Sequence, residues 1–401
     1  MKKIVIVGGG SCGLSCAIRL SQLFLYDPSI EILLLEQKEK IGKKLLATGN
    51  GRCNLSNKDL FMEYYQGHHV ELLQDEIQNF DCPAFFESIG LWTKYLGSLL
   101  YPQSEQALSV VERMEMYLKK HHCKIFVNEK VQNLTYDPLK KQWNIETNNQ
   151  HFLSDYVVMA CGGKAASHFG SDGSGYDLLK RLGFKIYPTY PSLVQLKTEK
   201  KHPELKGVRI HGTFTLYNND QIIKQETGEI LFTDDGLSGI SILQLSRYYS
   251  KLKGKIEVGI DSLDEYSPKE LAQKIADQLS LELFDLDGLV SKKYAQYLKR
   301  KLPQKIAYKE IRKVVQLLKD YRFTIIGTRD FKDAQVTQGG VALDQLDLAT
   351  LETMKYPNLY VGGELLDVDG ACGGYNLHFA FTCANMIAKA IYEKETGGKE
   401  C

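Results

Sequence analysis

Apolar residues along this chain change rhythm several times. Ile4-Val5-Ile6-Val7 is a continuous apolar run of the kind that a strand buried on both faces requires, and it gives way at once to Gly8-Gly9-Gly10-Ser11-Cys12-Gly13. Beyond the glycines, Leu14, Ala17, Ile18, Ser21 and Leu25 keep a helical period. A second run, Ile30 to Leu35, predicts another strand, ending in the acid Glu36. Residues 105–122 predict a helix with Leu108, Val111, Met114 and Leu118 on one face. Segments 124–136 and 142–147 alternate as strands, and 155–163 reads as a buried strand stopped by glycines. From about Pro188 the pattern shortens to alternating strands, among them 212–217, 221–225 and 255–260. Between Ser267 and Tyr321 it becomes charged and helical, and strand character returns at 323–328. Asn358 to Glu364 predicts a last strand running into glycines and an acid. Gly370 to Asn376 then leads into a long apolar helix ending near Glu395.

This order predicts an α/β protein in which residues 1–190 and 336–401 form one domain around a shared ligand. A β-rich domain is inserted into it, and a helical subdomain is inserted into that. The loop-rich stretch from Gln37 to Asn57 is long enough to expect a function of it.

The first glycine run carries the sharpest chemistry. A strand that ends in G-x-G-x-x-G and opens a helix presents unpaired N–H groups, and the positive end of the helix dipole, to a diphosphate. Gly8 is expected to allow the tight turn, Gly10 to admit the diphosphate against bare backbone, and Gly13 to let helix and strand pack closely. Glu36 is placed to hydrogen-bond ribose hydroxyls, and its charge disfavours a 2′-phosphate. FAD or NAD is therefore expected rather than NADP. The competing reading is an ordinary strand-to-helix turn with a solvated acid at the next strand end.

Composition narrows the classes. The 401 residues, 43% hydrophobic and 25% charged, leave room for two or three domains. Fifty basic against 49 acidic side chains give a formal net charge of +1, so no nucleic-acid or anionic-membrane partner is expected. The nine cysteines, at positions 12, 16, 53, 82, 123, 161, 372, 383 and 401, form no C-x-x-C pair; their scatter predicts reduced thiols in a cytoplasmic protein. No run approaches the roughly 20 apolar residues of a membrane span. His68, His69, His121 and His122 have no partners at metal-ligand spacing, so solvated rings and no metal are expected. The run 170–175 lacks the lysine of a phosphate-binding loop, and a turn with a helix cap is expected there.

Three longer motifs add to the G-G-G-x-x-G run at the start: I-G-K-K-L-L-A-T-G-N-G-R-C-N at 41–54, G-E-I-L-F-T-D-D-G-L-S-G at 228–239, and G-G-E-L-L-D-V-D-G-A-C-G-G-Y-N-L at 362–377. Together they resemble one family of bacterial FAD-dependent oxidoreductases, the aminoacetone oxidase-like and bile-acid 3-dehydro-Δ4-reductase-like flavoproteins, across nearly the whole chain. The resemblance implies FAD as the cofactor and a doubly wound, Rossmann-like FAD-binding domain. It also implies a β-barrel-like substrate domain at 191–262 and 323–335, with a small helical domain nested at 263–322. Two departures stand out: Cys161 where relatives are expected to carry Thr, and Asp235 where His or Tyr is expected, the second bearing on the substrate.

The implied cofactor set begins with Gly8, Gly10, Ser11, Cys12 and Gly13, continues through Glu36 and Gln37, and takes in Val131. The loop contributes Lys43, Lys44, Thr48, Gly49, Asn50, Gly51, Arg52, Cys53 and Asn54, its cations facing the diphosphate or the flavin. After the buried strand come Ala160, Cys161, Gly162 and Gly163. Gly363 and Glu364 would hold the ribityl or diphosphate end. Gly374, Tyr375, Asn376 and Leu377 would meet the isoalloxazine, where a helix N-terminus stabilises the negative charge of reduced flavin. A redox role for Cys53 competes with that of a small buried thiol.

The expected activity is hydride transfer between flavin N5 and a small organic substrate, with no acid or base singled out. One version oxidises an amine such as aminoacetone and returns the electrons to O₂. Another takes hydride from transiently bound NAD(P)H and reduces a conjugated enone of the 3-oxo-Δ4 steroid or bile-acid type. A non-catalytic flavin-bound redox sensor is the reading of a different class, and a tRNA-modifying flavoenzyme is disfavoured by the neutral charge.

Overall fold

The apolar runs at residues 4–7, 30–35, 156–159 and 359–361 become strands of one parallel sheet, because each is buried on both faces and can satisfy its backbone only against equally apolar neighbours. The computed structural model describes residues 1–25 and 27–397. Across this sheet the order is Leu359–Val361, Tyr156–Met159, Lys2–Val7, Ile30–Leu35, Lys124–Phe126. Every neighbouring pair is parallel, with Ile4 opposite both Tyr156 and Ile32. Ile4, Val5 and Ile6 are completely buried. The helices Ser11–Leu23 and Tyr375–Thr396 pack together on this sheet, and Arg19 Nε donates to Asn385 Oδ1 across them at 3.0 Å. These residues belong to a unit made of Met1–Tyr190 and the chain from Gln335 onward.

The second unit, Pro191–Ala334, is built on a closed barrel of six strands. In order around it run Leu196–Thr198, Gly236–Ser238, Gln221–Phe232, Arg209–Asn218, Ile256–Asp261 and Tyr321–Thr328. The last pairs back to the first through Leu196 and Thr328. Alternation along these strands sends Phe214, Leu216, Ile230, Val258, Ile260 and Phe323 inward. Three helices, Pro268–Ser280, Lys292–Lys299 and Ile311–Lys319, interrupt the chain between the last two strands, and their Leu271, Tyr294, Leu298 and Val314 join the barrel's core. The first is started by a capping box in which Ser267 Oγ accepts from the Glu270 N–H and Glu270 Oε2 accepts from the Ser267 N–H. The architecture is the α/β, doubly wound fold with an inserted β-barrel that the sequence motifs imply.

Four elements differ from expectation. Leu25 lies beyond the helix, which ends at Leu23, and is exposed. Leu108 is also exposed: the buried stripe of its helix, Ala107–Lys120, runs through Ala107, Val110, Val111, Met114 and Leu118, about 100° round the helix from it. Segment 124–136 is two strands, Lys124–Phe126 in the parallel sheet and Val131–Asp137 in a separate antiparallel sheet, divided near Asn128 at φ +59°. The β-rich stretch also contains a helix, Ile240–Tyr249, whose apolar positions pack on the barrel.

Among the described residues no helix is long and apolar enough to cross a membrane, no group of side chains could hold a metal ion, and the eight cysteines are free thiols. Cys401 lies outside the described residues.

One buried histidine ties the C-terminal helix to the loops before it. His378 Nε2–H donates to the Ile77 carbonyl at 2.7 Å, which leaves Nδ1 to accept from Ser56 Oγ at 2.7 Å. Burial lowers its pKa from the ordinary value of 6.5. As pH falls through about 6.5 the unfolded chain takes up a proton that the folded chain resists, so stability is complete above that value and is lost below it. H378Q is expected to lower the urea midpoint at neutral pH but to flatten its decline between about pH 7.5 and 5.5 relative to wild type.

Candidate functional site

Because the five-stranded sheet is parallel, its strands all end on one edge, and the residues that follow them are brought together there. Gly8 follows the first strand and Glu36 the second, while 160–163 and 362–364 follow the two on the other side. The first strand lies between Tyr156–Met159 and Ile30–Leu35, at the point where strand order reverses, and ligands of open α/β sheets bind beside that point.

The glycines of the first turn do different work. A Cβ on Gly13 would lie 1.9 Å from the Gly8 carbonyl oxygen, and one on Gly8, at φ +110°, would lie 2.5 Å from the Ala160 oxygen. Both are demanded by the fold. A Cβ on Gly10 meets nothing within 4 Å. Gly10 is also the N-cap of Ser11–Leu23, a helix with no side-chain cap and no acid in its first turn. The protein therefore leaves this helix N-terminus bare and without an anion of its own. Cys12 turns the other way, toward Gly362 and Gly363, and burial raises its thiol pKa, so it packs as a small apolar group.

Glu36 is largely buried. Its Oε2 accepts from the Gly9 N–H and its Oε1 from the Lys38 N–H, both at 2.8 Å. Burial outweighs these donors and pushes the carboxyl pKa up. Such a carboxylate gains from further donors, which ribose hydroxyls could supply. Gln37 beside it donates through Nε2 to the Gly170 carbonyl.

Glu364 is the centre of a second cluster. Its Oε2 accepts from Lys44 Nζ at 2.6 Å and its Oε1 from the Thr337 N–H at 2.9 Å. Thr337 Oγ1 in turn accepts from the N–H groups of Lys164 and Ala165 at 2.8 and 2.9 Å. Gly163 allows this crossing, since a Cβ there would lie 2.4 Å from Thr337 Oγ1. Thr337 was not expected from sequence. The short T-Q-G-G-V run at 337–341, whose two glycines both have positive φ, is the feature that marks it.

The loop after the second strand winds through a short helix, Lys43–Ala47, and a turn in which Gly49, Asn50 and Gly51 have φ of +55°, +55° and +82°. Of its cations, Lys44 alone meets Glu364. Lys43 pairs with Glu39, and Arg52 pairs with Glu105 and lies over the Tyr101 ring at 4.5 Å. These two cations, expected at the diphosphate or flavin, are engaged by acids next to them in space. Cys53 is fully buried with its thiol pKa pushed up to about 11, the environment of a small packed thiol. Cys161 is likewise raised to about 12 by burial. Ala160 and Val131 are buried at their strand ends.

The loop ends beneath the last helix. A Cβ on Gly374, at φ +94°, would lie 2.5 Å from the Ser56 oxygen and 2.8 Å from Asn54 Oδ1. That Oδ1 is buried and has no hydrogen-bond partner. Gly374 caps Tyr375–Thr396, which again has no side-chain cap and no acid in its first turn. Two residues expected at the flavin behave differently. The Asn376 amide is committed to Gly370, accepting from its N–H and donating to its carbonyl at 2.8 Å, so only its backbone is free to face a ligand. The Tyr375 ring stacks on Tyr64 at 4.8 Å and meets Tyr65 edge-on at 5.7 Å. Leu377 is half-buried beside them.

In the barrel unit Asp235 is paired with Arg329 at 2.5 Å, and that guanidinium holds its carboxyl pKa down. Nor are the paired histidines merely solvated: His121 stacks on Tyr117, and His68 Nδ1 lies 2.6 Å from Asp367.

The family described as HI0933-like protein Rossmann domain matches residues 2–390. The chain belongs to this family. It is 36% identical over 415 residues, 98% of this chain and 100% of the other, to a 3-dehydro-bile acid delta(4,6)-reductase of Clostridium scindens. A ribosomal RNA dihydrouridine synthase of Haemophilus influenzae is 26% identical over 96% of this chain and 98% of its own. Among solved structures, a 3-ketosteroid-Δ4-(5α)-dehydrogenase of Rhodococcus jostii superposes with a TM-score of 0.52 at 13% identity. That match covers 98% of this chain and 97% of the other, a likeness of fold. The protein is an FAD-dependent oxidoreductase. Its residues fit that cofactor: open space over Gly10, two bare helix N-termini and the unpartnered Asn54 Oδ1.

Two substitutions separate binding from folding. Gly10→Val is expected to leave the unfolding free energy of the flavin-free protein, from urea titration, within ~0.5 kcal/mol of wild type and to abolish bound flavin, measured as visible absorbance per chain. Gly13→Ala is expected to cost about 3 kcal/mol, because neither backbone in contact can move aside.

Proposed function

We propose that this protein reduces a carbon–carbon double bond conjugated to a carbonyl, in a small molecule of the 3-oxo-Δ4 steroid or bile-acid class. The observation that carries this reading is the full-length relative at 36% identity, whose name specifies such a reaction. The more distant relative supports the same bond class. Dihydrouridine is uridine reduced at a ring double bond conjugated to its C4 carbonyl, so the two names share a chemistry although their substrates differ. A net charge of +1 on 401 residues provides no general phosphate-binding field, which favours the small molecule over RNA.

When bound, FAD supplies a hydride from N5. The chain's part is to hold and tune it. The N–H groups at Gly10 to Gly13 would receive the diphosphate, with Glu36 on the ribose. Glu364, steadied by Lys44 and the Thr337 N–H, would take the sugar-alcohol side. The bare N-terminus at Gly374 would offset negative charge at the pyrimidine edge of the ring. With one dinucleotide fingerprint in the chain, NAD(P)H would dock transiently over the flavin rather than in a domain of its own.

The test is anaerobic stopped-flow absorbance of the yellow protein mixed separately with NADH, NADPH and aminoacetone, followed by addition of a 3-oxo-Δ4 steroid. Bleaching by a nicotinamide and recovery on adding the steroid is the expected outcome. Bleaching by aminoacetone alone, with recovery in O₂, would replace this reading with an amine oxidase. Recovery with uridine-containing RNA in place of the steroid would move the substrate to nucleic acid.

A further inference from the structure

The reading above leaves a proton to be found. Conjugate reduction needs a hydride at one carbon and a proton at its neighbour, and the roles given above to the cofactor residues assign the second to none of them. We propose that His68, held by Asp367, donates it; the assignment rests on the conjugate-reduction reading.

The geometry is that of a fixed imidazole with one nitrogen left over. Asp367 Oδ2 accepts twice from His68, from its backbone N–H at 3.1 Å and from its ring Nδ1–H at 2.6 Å. The Asp367 side chain is 6% exposed, whereas that of His68 is 61% exposed. The ring lies flat on Tyr187 at 4.1 Å and 16°, and Tyr187 Oη accepts from Lys185 Nζ at 2.9 Å. One edge and one face of the imidazole are thus occupied. An Nδ1–H committed to a carboxylate leaves Nε2 as the atom free to donate toward a substrate.

Its place in the chain is as informative. Asp367 lies on the backbone that runs from Glu364, proposed for the sugar-alcohol side, to Gly374, proposed for the ring. His68 is carried to it by the antiparallel pairing of Tyr65–Gln66 with Asp369–Gly370. Gly67 makes the crossing possible, since a Cβ there would lie 2.0 Å from the Asp367 carbonyl oxygen. Gln338 Nε2 reaches both Gln66 Oε1 and Asp369 Oδ1, joining the T-Q-G-G-V turn to the same pair of strands.

In the step assigned to His68, the substrate's β-carbon receives the hydride pair and the double-bond electrons move onto the α-carbon and carbonyl oxygen. The Nε2–H bond then breaks, its electrons staying on the imidazole, and the proton forms the new C–H bond at the α-carbon. Solvent reprotonates the ring. The electrons come from a nicotinamide hydride donor by way of the cofactor. Asp367 is a positioning residue: it sets the tautomer and stabilises the charged ring before transfer.

The test compares wild type, H68Q and D367N as flavin-loaded proteins in D₂O, with a 3-oxo-Δ4 steroid and NADH or dithionite as reductant. In both variants, bound flavin and its bleaching are expected to match wild type. Recovery of flavin colour on adding the steroid should slow ~100-fold in H68Q and should also slow in D367N. Wild type should place deuterium on one face of the α-carbon, and H68Q on both, because water then protonates without direction. H68Q with near wild-type recovery and single-face deuterium overturns this assignment alone, and so does wild-type recovery in D367N, which keeps the ring but takes the carboxylate charge from its Nδ1. A wild-type protein that passes hydride to no conjugated ketone overturns the functional reading and this one with it.

Discussion

Gly13 lies so close to the strand that feeds its helix that a single methyl group would come within 1.9 Å of the Gly8 carbonyl oxygen. The rest of the nucleotide-binding unit depends on that approach. It sets the first helix against the first strand, aims its bare N-terminus along the sheet edge, and brings Cys12 against Gly362 and Gly363, where the last strand ends. The 22-residue C-terminal helix then packs on the first. A protein interior is packed too densely to absorb an extra methyl there by spreading. The absence of a Cβ at one position therefore holds two distant parts of the chain in register.

On this frame the site is built from opposing electrostatic demands. Two helix N-termini are left without capping side chains or first-turn acids, an arrangement that an anionic or electron-rich ligand complements. Glu36 shows the converse. Burial opposes its charge more strongly than two backbone donors support it, so it too is incomplete without further hydrogen bonds. Glu364 is better supplied, with an ammonium group and a backbone N–H already in place. Burial raises the thiols of Cys12, Cys53 and Cys161, which keeps them neutral and makes them packing groups.

Much of the frame was legible in the residue order. Continuous apolar runs before glycines mark the strands of a buried parallel sheet, and such a sheet brings its loops to one edge. Gly8 to Gly13, Glu36, 160–163 and 362–364 could therefore be grouped without coordinates. Side-chain direction in the loops was not legible. Lys43, Lys44 and Arg52 look equivalent in sequence, yet two of them are taken by Glu39 and Glu105. Asn376 has the right chemistry for a flavin edge, but its amide closes a turn with Gly370.

By itself the sequence determined the α/β architecture, the inserted β-rich region, the dinucleotide turn and the family, because these rest on local periodicity and on short-range motifs. Only the tertiary structure decided which of the loop cations reaches Glu364, that Thr337 secures that acid, that His378 links the last helix to Ile77 and Ser56, and that His68 meets Asp367 across some 300 residues of chain. Those contacts join segments remote in sequence, and their partners are selected by strand pairing and backbone crossing, which no local pattern encodes.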